Sequence, residues 1–153
     1  MFRPCPLAAI CLSMPVIAQD GRACRNIPFS QDNCVRFVGC IGDQGLRFDG
    51  KARGWDQGTA TAEISDFTQC RGTWDSNGPL GTGVGNMTCE DGVTFDVIYY
   101  SQDGVTGTVI GRGMDSTGRA IQVWSGKNVL EFLTPNGSDI AYLPCISGDI
   151  PLS

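Results

Sequence analysis

Apolar and polar residues alternate along several short stretches of the chain. Residues 93–100, VTFDVIYY, place every second side chain on one face, and that face carries Val93, Phe95, Val97 and Tyr99. Similar alternation predicts strands at 46–52, 59–64, 105–110 and 119–125. Only residues 128–133 suit a short helix. The pattern therefore predicts an all-β protein.

Glycine accounts for 21 residues and commonly lies beside Asp, Asn or Ser. Such pairs are typical of tight turns, because glycine adopts positive φ without steric cost and Asp or Asn side chains bond to nearby backbone. We place turns at 43–45, 49–50, 56–58, 77–78, 91–92, 103–104, 115–118 and 136–137. Connections this short join antiparallel neighbours. The expected fold is an antiparallel meander or small barrel of short hairpins, stabilised by disulfides.

Parts of the chain repeat. The segments GLRFD at 45–49 and GVTFD at 92–96 match, and related starts at 48, 70, 95 and 120 follow at steps of 22 to 25 residues. The leading position holds an aromatic residue in two copies, Phe48 and Phe95, and Cys70 and Ala120 in the others.

The stretch 83–97, GVGNMTCEDGVTFDV, resembles the MORN repeat, a β-hairpin unit with a G-x-G pair, then D/N-G and an aromatic residue. The resemblance spans residues 43–125 and implies a scaffold or interaction module without enzymatic activity. An unrelated antiparallel barrel or meander with the same turn chemistry is the alternative.

The first 18 residues are typical of a cleavable signal peptide. Arg3 precedes an uncharged, mostly apolar run from 6 to 18, and Val16 and Ala18 are the small residues expected before a cut between Ala18 and Gln19. A membrane anchor is the alternative, but the run is shorter than the roughly 20 residues that span a bilayer. We expect one domain, residues 19–153, in a periplasm or outside the cell.

Six cysteines follow the predicted signal: Cys24, Cys34, Cys40, Cys70, Cys89 and Cys145. An even number in an exported chain implies up to three disulfides, and six cysteines allow about 15 pairings. We expect these bonds to hold the N-terminal segment and the ends of the domain. Zinc binding is disfavoured, since the chain has no His and no C-x-x-C pair.

Charge and composition narrow the possible chemistry. The net charge of −5 and the scattered basic residues argue against binding nucleic acid, and the absence of His excludes a Ser-His-Asp triad. Paired carboxylates of a glycoside hydrolase are a remote alternative, with the candidates Glu63, Asp66, Glu90, Asp91, Asp96 and Glu131. Calcium at the acidic turns is a further alternative, although no EF-hand spacing is present. No cofactor is expected.

Aromatic residues supply the best candidate for a binding surface. Five could line a sheet face and bind peptide or glycan, or else pack in the core: Trp55, Trp74, Tyr99, Tyr100 and Trp124. We therefore expect a non-catalytic exported module that binds a protein or glycan of the cell envelope, without a membrane span.

The second hypothesis is a periplasmic inhibitor of a cell-wall hydrolase. Residues 89–92 together with Val97 and Tyr99 resemble the C-type lysozyme inhibitors, which are small disulfide-bearing barrels. The serine-glycine inhibitory loop of that family has no clear counterpart in this chain.

Overall fold

The computed structural model describes residues 23–152, and the predicted signal peptide with its cleavage site lies outside them. Eight antiparallel strands form a closed barrel: β1 (Cys34–Ile41), β2 (Leu46–Trp55), β3 (Gln57–Ile64), β4 (Gln69–Asp75), β5 (Gly83–Cys89), β6 (Thr94–Gln102), β7 (Val109–Asp115) and β8 (Ala120–Gly126). Each strand pairs with the next along the chain, and β8 pairs with β1. The all-β antiparallel prediction is confirmed, and closure leaves the barrel no free edge.

The chain after the barrel packs against its outside. It contains a short helix α1 (Val129–Phe132), as the sequence predicted, and a hairpin of β9 (Ala141–Cys145) and β10 (Gly148–Leu152). Together they cover an outer core on β1 and β8, formed by Val38, Cys40, Trp124, Val129, Leu133, Ala141 and Leu143. Within residues 23–152, no helix is long and apolar enough to cross a membrane.

Four of the five predicted strands agree closely with observed ones, namely β2, β3, β6 and β8. In β6, Phe95 and Ile98 were predicted to lie on opposite faces, and Phe95 is buried whereas Ile98 is exposed. The prediction for 105–110 is wrong over 105–108, because these residues belong to a loop and β7 begins at Val109. The Asp103 carboxylate accepts hydrogen bonds from the backbone N–H of Val105 at 3.1 Å and of Thr106 at 2.6 Å, which hold the loop against extension.

The sequence repeat corresponds to one hairpin of the barrel. Its four starts fall on β2, β4, β6 and β8. Phe48, Cys70 and Phe95 are buried inside the barrel, whereas Ala120 is exposed. A shift of one residue in a strand reverses the face, so the fourth copy is out of phase with the others. The resemblance to MORN repeats stays a prediction.

Several glycines lie within strands and not in turns. The predicted turn at 49–50 is wrong, since Gly50 lies in the middle of β2 beside Phe37 of β1. A Cβ at Gly50 would lie 2.5 Å from Phe37 Cζ, and one at Gly39 would lie 2.2 Å from Phe48 Cζ. Backbone oxygens are equally close, with Thr61 O 2.4 Å from the Cβ at Gly50 and Gln122 O 2.2 Å from the one at Gly39, so ring and backbone together require glycine at both positions.

Three disulfides form, with the pairs Cys24–Cys34, Cys40–Cys145 and Cys70–Cys89. The first attaches the N-terminal segment to the start of β1, and the second attaches the C-terminal hairpin to the outside of that strand. Both agree with the expectation that the bonds hold the ends of the domain. The third joins register partners on β4 and β5 inside the barrel.

Candidate functional site

The barrel contains an apolar cavity of about 530 Å³. It lies towards the end where β2, β4, β6 and β8 finish, which we call the open end. Its floor is formed by large apolar side chains from several strands, namely Phe37, Phe48, Met87, Phe95 and Ile121. The interior of the opposite, closed end is packed, with the Cys70–Cys89 bridge and Ile64 buried there.

Small residues leave the space unfilled. The interior positions nearer the open end carry Ala52, Ala60, Gly83, Gly85 and Ser125, all of which line the cavity. An eight-stranded barrel is just wide enough for large side chains to fill it or for one small ligand to occupy it. In this barrel, large side chains fill the closed end, and the open end is hollow.

Four of the five aromatic residues singled out in the sequence line the cavity: Trp55, Trp74, Tyr99 and Tyr100. The side chains of Trp55, Trp74 and Tyr99 are partly buried beside this space, whereas Tyr100 is 53% exposed. Trp124 does not join them, because it projects outwards from β8 into the outer core and is only 6% exposed. The Trp74 indole N–H donates to the Arg53 carbonyl at 3.1 Å, which fixes its ring in place.

Tyr99 lies between two glycines on the neighbouring strands, Gly83 of β5 and Gly111 of β7. A Cβ at Gly111 would lie 2.8 Å from Tyr99 Cδ1, so these glycines make room for the ring. Burial raises the pKa of Tyr99 to about 12. The phenol therefore stays protonated at neutral pH, and among residues 23–152 its hydroxyl has no hydrogen-bond partner. It is available as a donor to a ligand or to water.

Asn33 organises the N-terminal segment at the rim of the cavity. Its side chain is buried, donates to the Gly54 carbonyl at 3.0 Å, and accepts from the Asn26 amide at 2.9 Å and the Ile27 backbone N–H at 2.8 Å. Nothing in the sequence marks Asn33 as a site residue, because a single Asn beside polar turn residues carries no recognisable pattern.

Among the described residues that line the cavity, the only charged ones are Asp56 and Asp75. A hydrogen bond of 2.7 Å from the Ser76 backbone N–H to the Asp56 carbonyl holds their two turns together. No Lys or Arg lines the cavity. The cavity therefore suits uncharged or cationic groups better than anions.

The six candidate catalytic carboxylates do not line this cavity. Asp66 and Asp91 lie in turns, where they accept backbone N–H groups of Thr68 and Val93, both at 3.0 Å. Glu63 accepts a hydrogen bond from the Gln69 side chain. The remaining three are distributed between the β5–β6 turn, the outside of β6 and α1, and they are Glu90, Asp96 and Glu131. No group of three or more His, Cys, Asp or Glu side chains gathers in the described part of the chain.

A buried carboxylate stabilises the closed end. Asp115 accepts hydrogen bonds from the backbone N–H groups of Thr117 and Arg119, both at 2.9 Å, from the Thr117 hydroxyl at 2.7 Å and from Arg119 Nε at 2.6 Å. Burial by itself would raise the pKa of Asp115, but these hydrogen bonds outweigh it and lower the pKa. The β7–β8 turn is therefore held by an ionised side chain.

No protein-family model and no curated protein matches the chain. Among solved structures, the chain is similar to a de novo designed fluorescence-activating β-barrel, with 17% sequence identity and a TM-score of 0.49. The match covers 61% of this chain and 90% of the designed one. A likeness of this degree carries no functional information.

Proposed function

We propose that this protein is a non-catalytic exported binding module whose barrel takes up one small apolar molecule. The observation that carries the proposal is the hollow, aromatic-lined half of the barrel. Its volume of about 530 Å³ lies within the range of roughly 300–1,000 Å³ that is common for small-molecule sites. Aromatic walls provide apolar contact area, and the Tyr99 hydroxyl supplies one polar group for orientation.

The contrast between the two ends supports binding over simple packing. Empty apolar space lowers stability, since the lining side chains lose contacts that a filled core would supply. The closed end shows that this barrel can be packed, with Ile64 and the Cys70–Cys89 bridge almost completely buried. Larger residues at positions 52, 60 or 85 would fill the open half.

Export is supported by the cysteines. Three disulfides in a chain of 153 residues are typical of proteins from an oxidising compartment. The predicted signal peptide at 1–18 agrees with such a location. N-terminal sequencing of the protein recovered from its source tests cleavage between Ala18 and Gln19, and an intact first residue would contradict it.

The binding proposal is tested with N-phenyl-1-naphthylamine, an uncharged dye that brightens in apolar surroundings. We expect saturable binding of one dye per chain and energy transfer from the two tryptophans that line the cavity. Trp74→Phe should weaken dye binding, whereas Trp124→Phe, outside the barrel, serves as the matched control and should leave the affinity for the dye nearly unchanged. Binding that never saturates, or equal effects of the two variants, would contradict the proposal.

The hydrolase-inhibitor hypothesis stays a prediction. The resemblance that suggested it rests on the β5–β6 turn and on Val97 and Tyr99, which face the barrel interior. A turbidity assay with lysozyme tests it directly, and full lysis at a large molar excess of this protein would rule it out.

A further inference from the structure

Four large apolar side chains within residues 23–152 keep 81% or more of their surface exposed: Phe29, Phe67, Leu80 and Val105. Three of them lie at the open end of the barrel, and only Phe67 lies in a loop at the closed end. Single exposed apolar residues are common on protein surfaces, but three around the mouth of an apolar cavity form a concentrated feature.

Each of the three belongs to a different segment that borders the cavity. The Phe29 ring lies 4.7 Å from the ring of Trp55, which lines the cavity. Leu80 lies in the link between β4 and β5, next to the lining residue Gly81. Val105 lies in the β6–β7 loop, which contributes another lining residue, Gly107. We call Phe29, Leu80 and Val105 the apolar rim.

The rim side chains are presented by ordered backbone. Phe29 and Leu80 have φ angles of 63° and 57°, a left-handed conformation that is unfavourable for large side chains. The Leu80 link is closed by hydrogen bonds from the backbone N–H and hydroxyl of Thr82 to the Pro79 carbonyl, at 3.1 and 2.6 Å. Phe29 and Leu80 are therefore large apolar residues exposed to water at positions where the left-handed backbone favours glycine or Asn.

We propose that the open end docks on the surface of an electrically neutral lipid bilayer, with the apolar rim inserted among the lipids. This inference rests on the proposed function, because an apolar ligand is concentrated in lipid and would enter the cavity without crossing water. Neutral headgroups fit better than anionic ones, since Asp56 and Asp75 lie at the mouth and the chain carries a net charge of −5. The rim residues lie in three separate segments at the open end, so their insertion would bring the mouth of the cavity against the lipid.

The experiment is flotation of the full chain with phosphatidylcholine vesicles, read as a partition coefficient. Leu80→Ser and Phe29→Ser should each weaken the partition by at least about tenfold, because each removes one side chain that would enter the lipid. Phe67→Ser is the matched control, since Phe67 is equally exposed, also has a left-handed φ of 71°, and lies at the other end. Vesicles of phosphatidylglycerol should bind less protein than those of phosphatidylcholine.

Several outcomes would overturn the inference: no flotation with neutral vesicles, equal losses for Leu80→Ser and Phe67→Ser, or stronger binding to anionic vesicles. Self-association in solution that Leu80→Ser abolishes, without flotation, would instead identify the rim as an interface between two copies. Dye binding without flotation leaves the proposed function intact and removes only the docking. Flotation without dye binding would support the docking and contradict the proposed ligand binding.

Discussion

Filling the cavity should stabilise the protein and block ligand binding at the same time. Ala52 lies on β2, faces the cavity and is the register partner of Ala60. Ala52→Leu adds three carbon atoms, and at about 0.8 kcal/mol for each buried CH₂ the gain has a ceiling of about 2.4 kcal/mol. Ordering the leucine side chain costs about 0.5–1 kcal/mol. We therefore expect the free energy of unfolding to rise by about 1.5 kcal/mol.

The matched control is Ala62→Leu, the same chemical change in a filled part of the barrel. Ala62 is 5% exposed, belongs to the packed core and does not line the cavity. Overpacking there should lower the free energy of unfolding by about 1–3 kcal/mol. Urea denaturation measures both variants, and titration with the naphthylamine dye should show at least about tenfold weaker binding only for Ala52→Leu.

Opposite signs for the same substitution are the essential result. Destabilisation by Ala52→Leu as large as that by Ala62→Leu would mean that the space beside Ala52 is not open, and the reasoning would fail. Stabilisation without loss of dye binding would confirm the space but place the ligand elsewhere.

Two further predictions concern stability. Replacing Cys40 and Cys145 by Ala opens a bridge with a sequence separation of 105 residues, and loop entropy predicts a loss of roughly 4.7 kcal/mol. Removing the Cys24–Cys34 bridge, with a separation of 10, should cost only roughly 2.7 kcal/mol; urea denaturation would contradict the loop argument if the order were reversed. Asp115→Asn should lower stability by about 1.5–3 kcal/mol at neutral pH. Because the folded pKa of Asp115 is lowered, its contribution is present above about pH 4 and is lost as the pH falls through the folded value, so melting temperatures of wild type and variant should converge in acid.

The strand pattern could be predicted because it is local. In β6, alternation with a period of two residues puts Phe95 and Ile98 on opposite faces without knowledge of any other strand, and in the barrel Phe95 is buried and Ile98 exposed. The loop at 103–108 shows the limit of that signal, since the predicted segment 105–110, VTGTVI, has the composition of a strand. The backbone N–H groups of Val105 and Thr106 donate to the Asp103 carboxylate and oppose extension there, and apolar periodicity does not reveal these hydrogen bonds.

Glycine explains the wrongly predicted turn at 49–50, because the same residue serves two purposes in this chain. At a turn such as Gly92, with φ of 85°, it supplies a conformation that other residues avoid. At Gly39 and Gly50 it supplies space for a ring on the neighbouring strand. The sequence around a glycine does not separate these uses until the pairing register is known, and Asp49-Gly50 was therefore assigned to a turn.

The cavity needs the register even more. Its small lining residues Ala52, Gly85 and Ser125 are distant in the sequence, and each is ordinary in its own strand. Only the closed barrel brings them to the same end as the aromatic residues that the sequence did single out, where Gly85 is the register partner of Trp74. Likewise, Phe29, Leu80 and Val105 are far apart in the sequence, and only the strand topology shows that their exposed side chains lie at the same end of the barrel. The proposed ligand binding and the proposed membrane docking therefore involve the same end of the barrel but separate residues, so variants inside the cavity and variants on the rim should change dye binding and flotation independently.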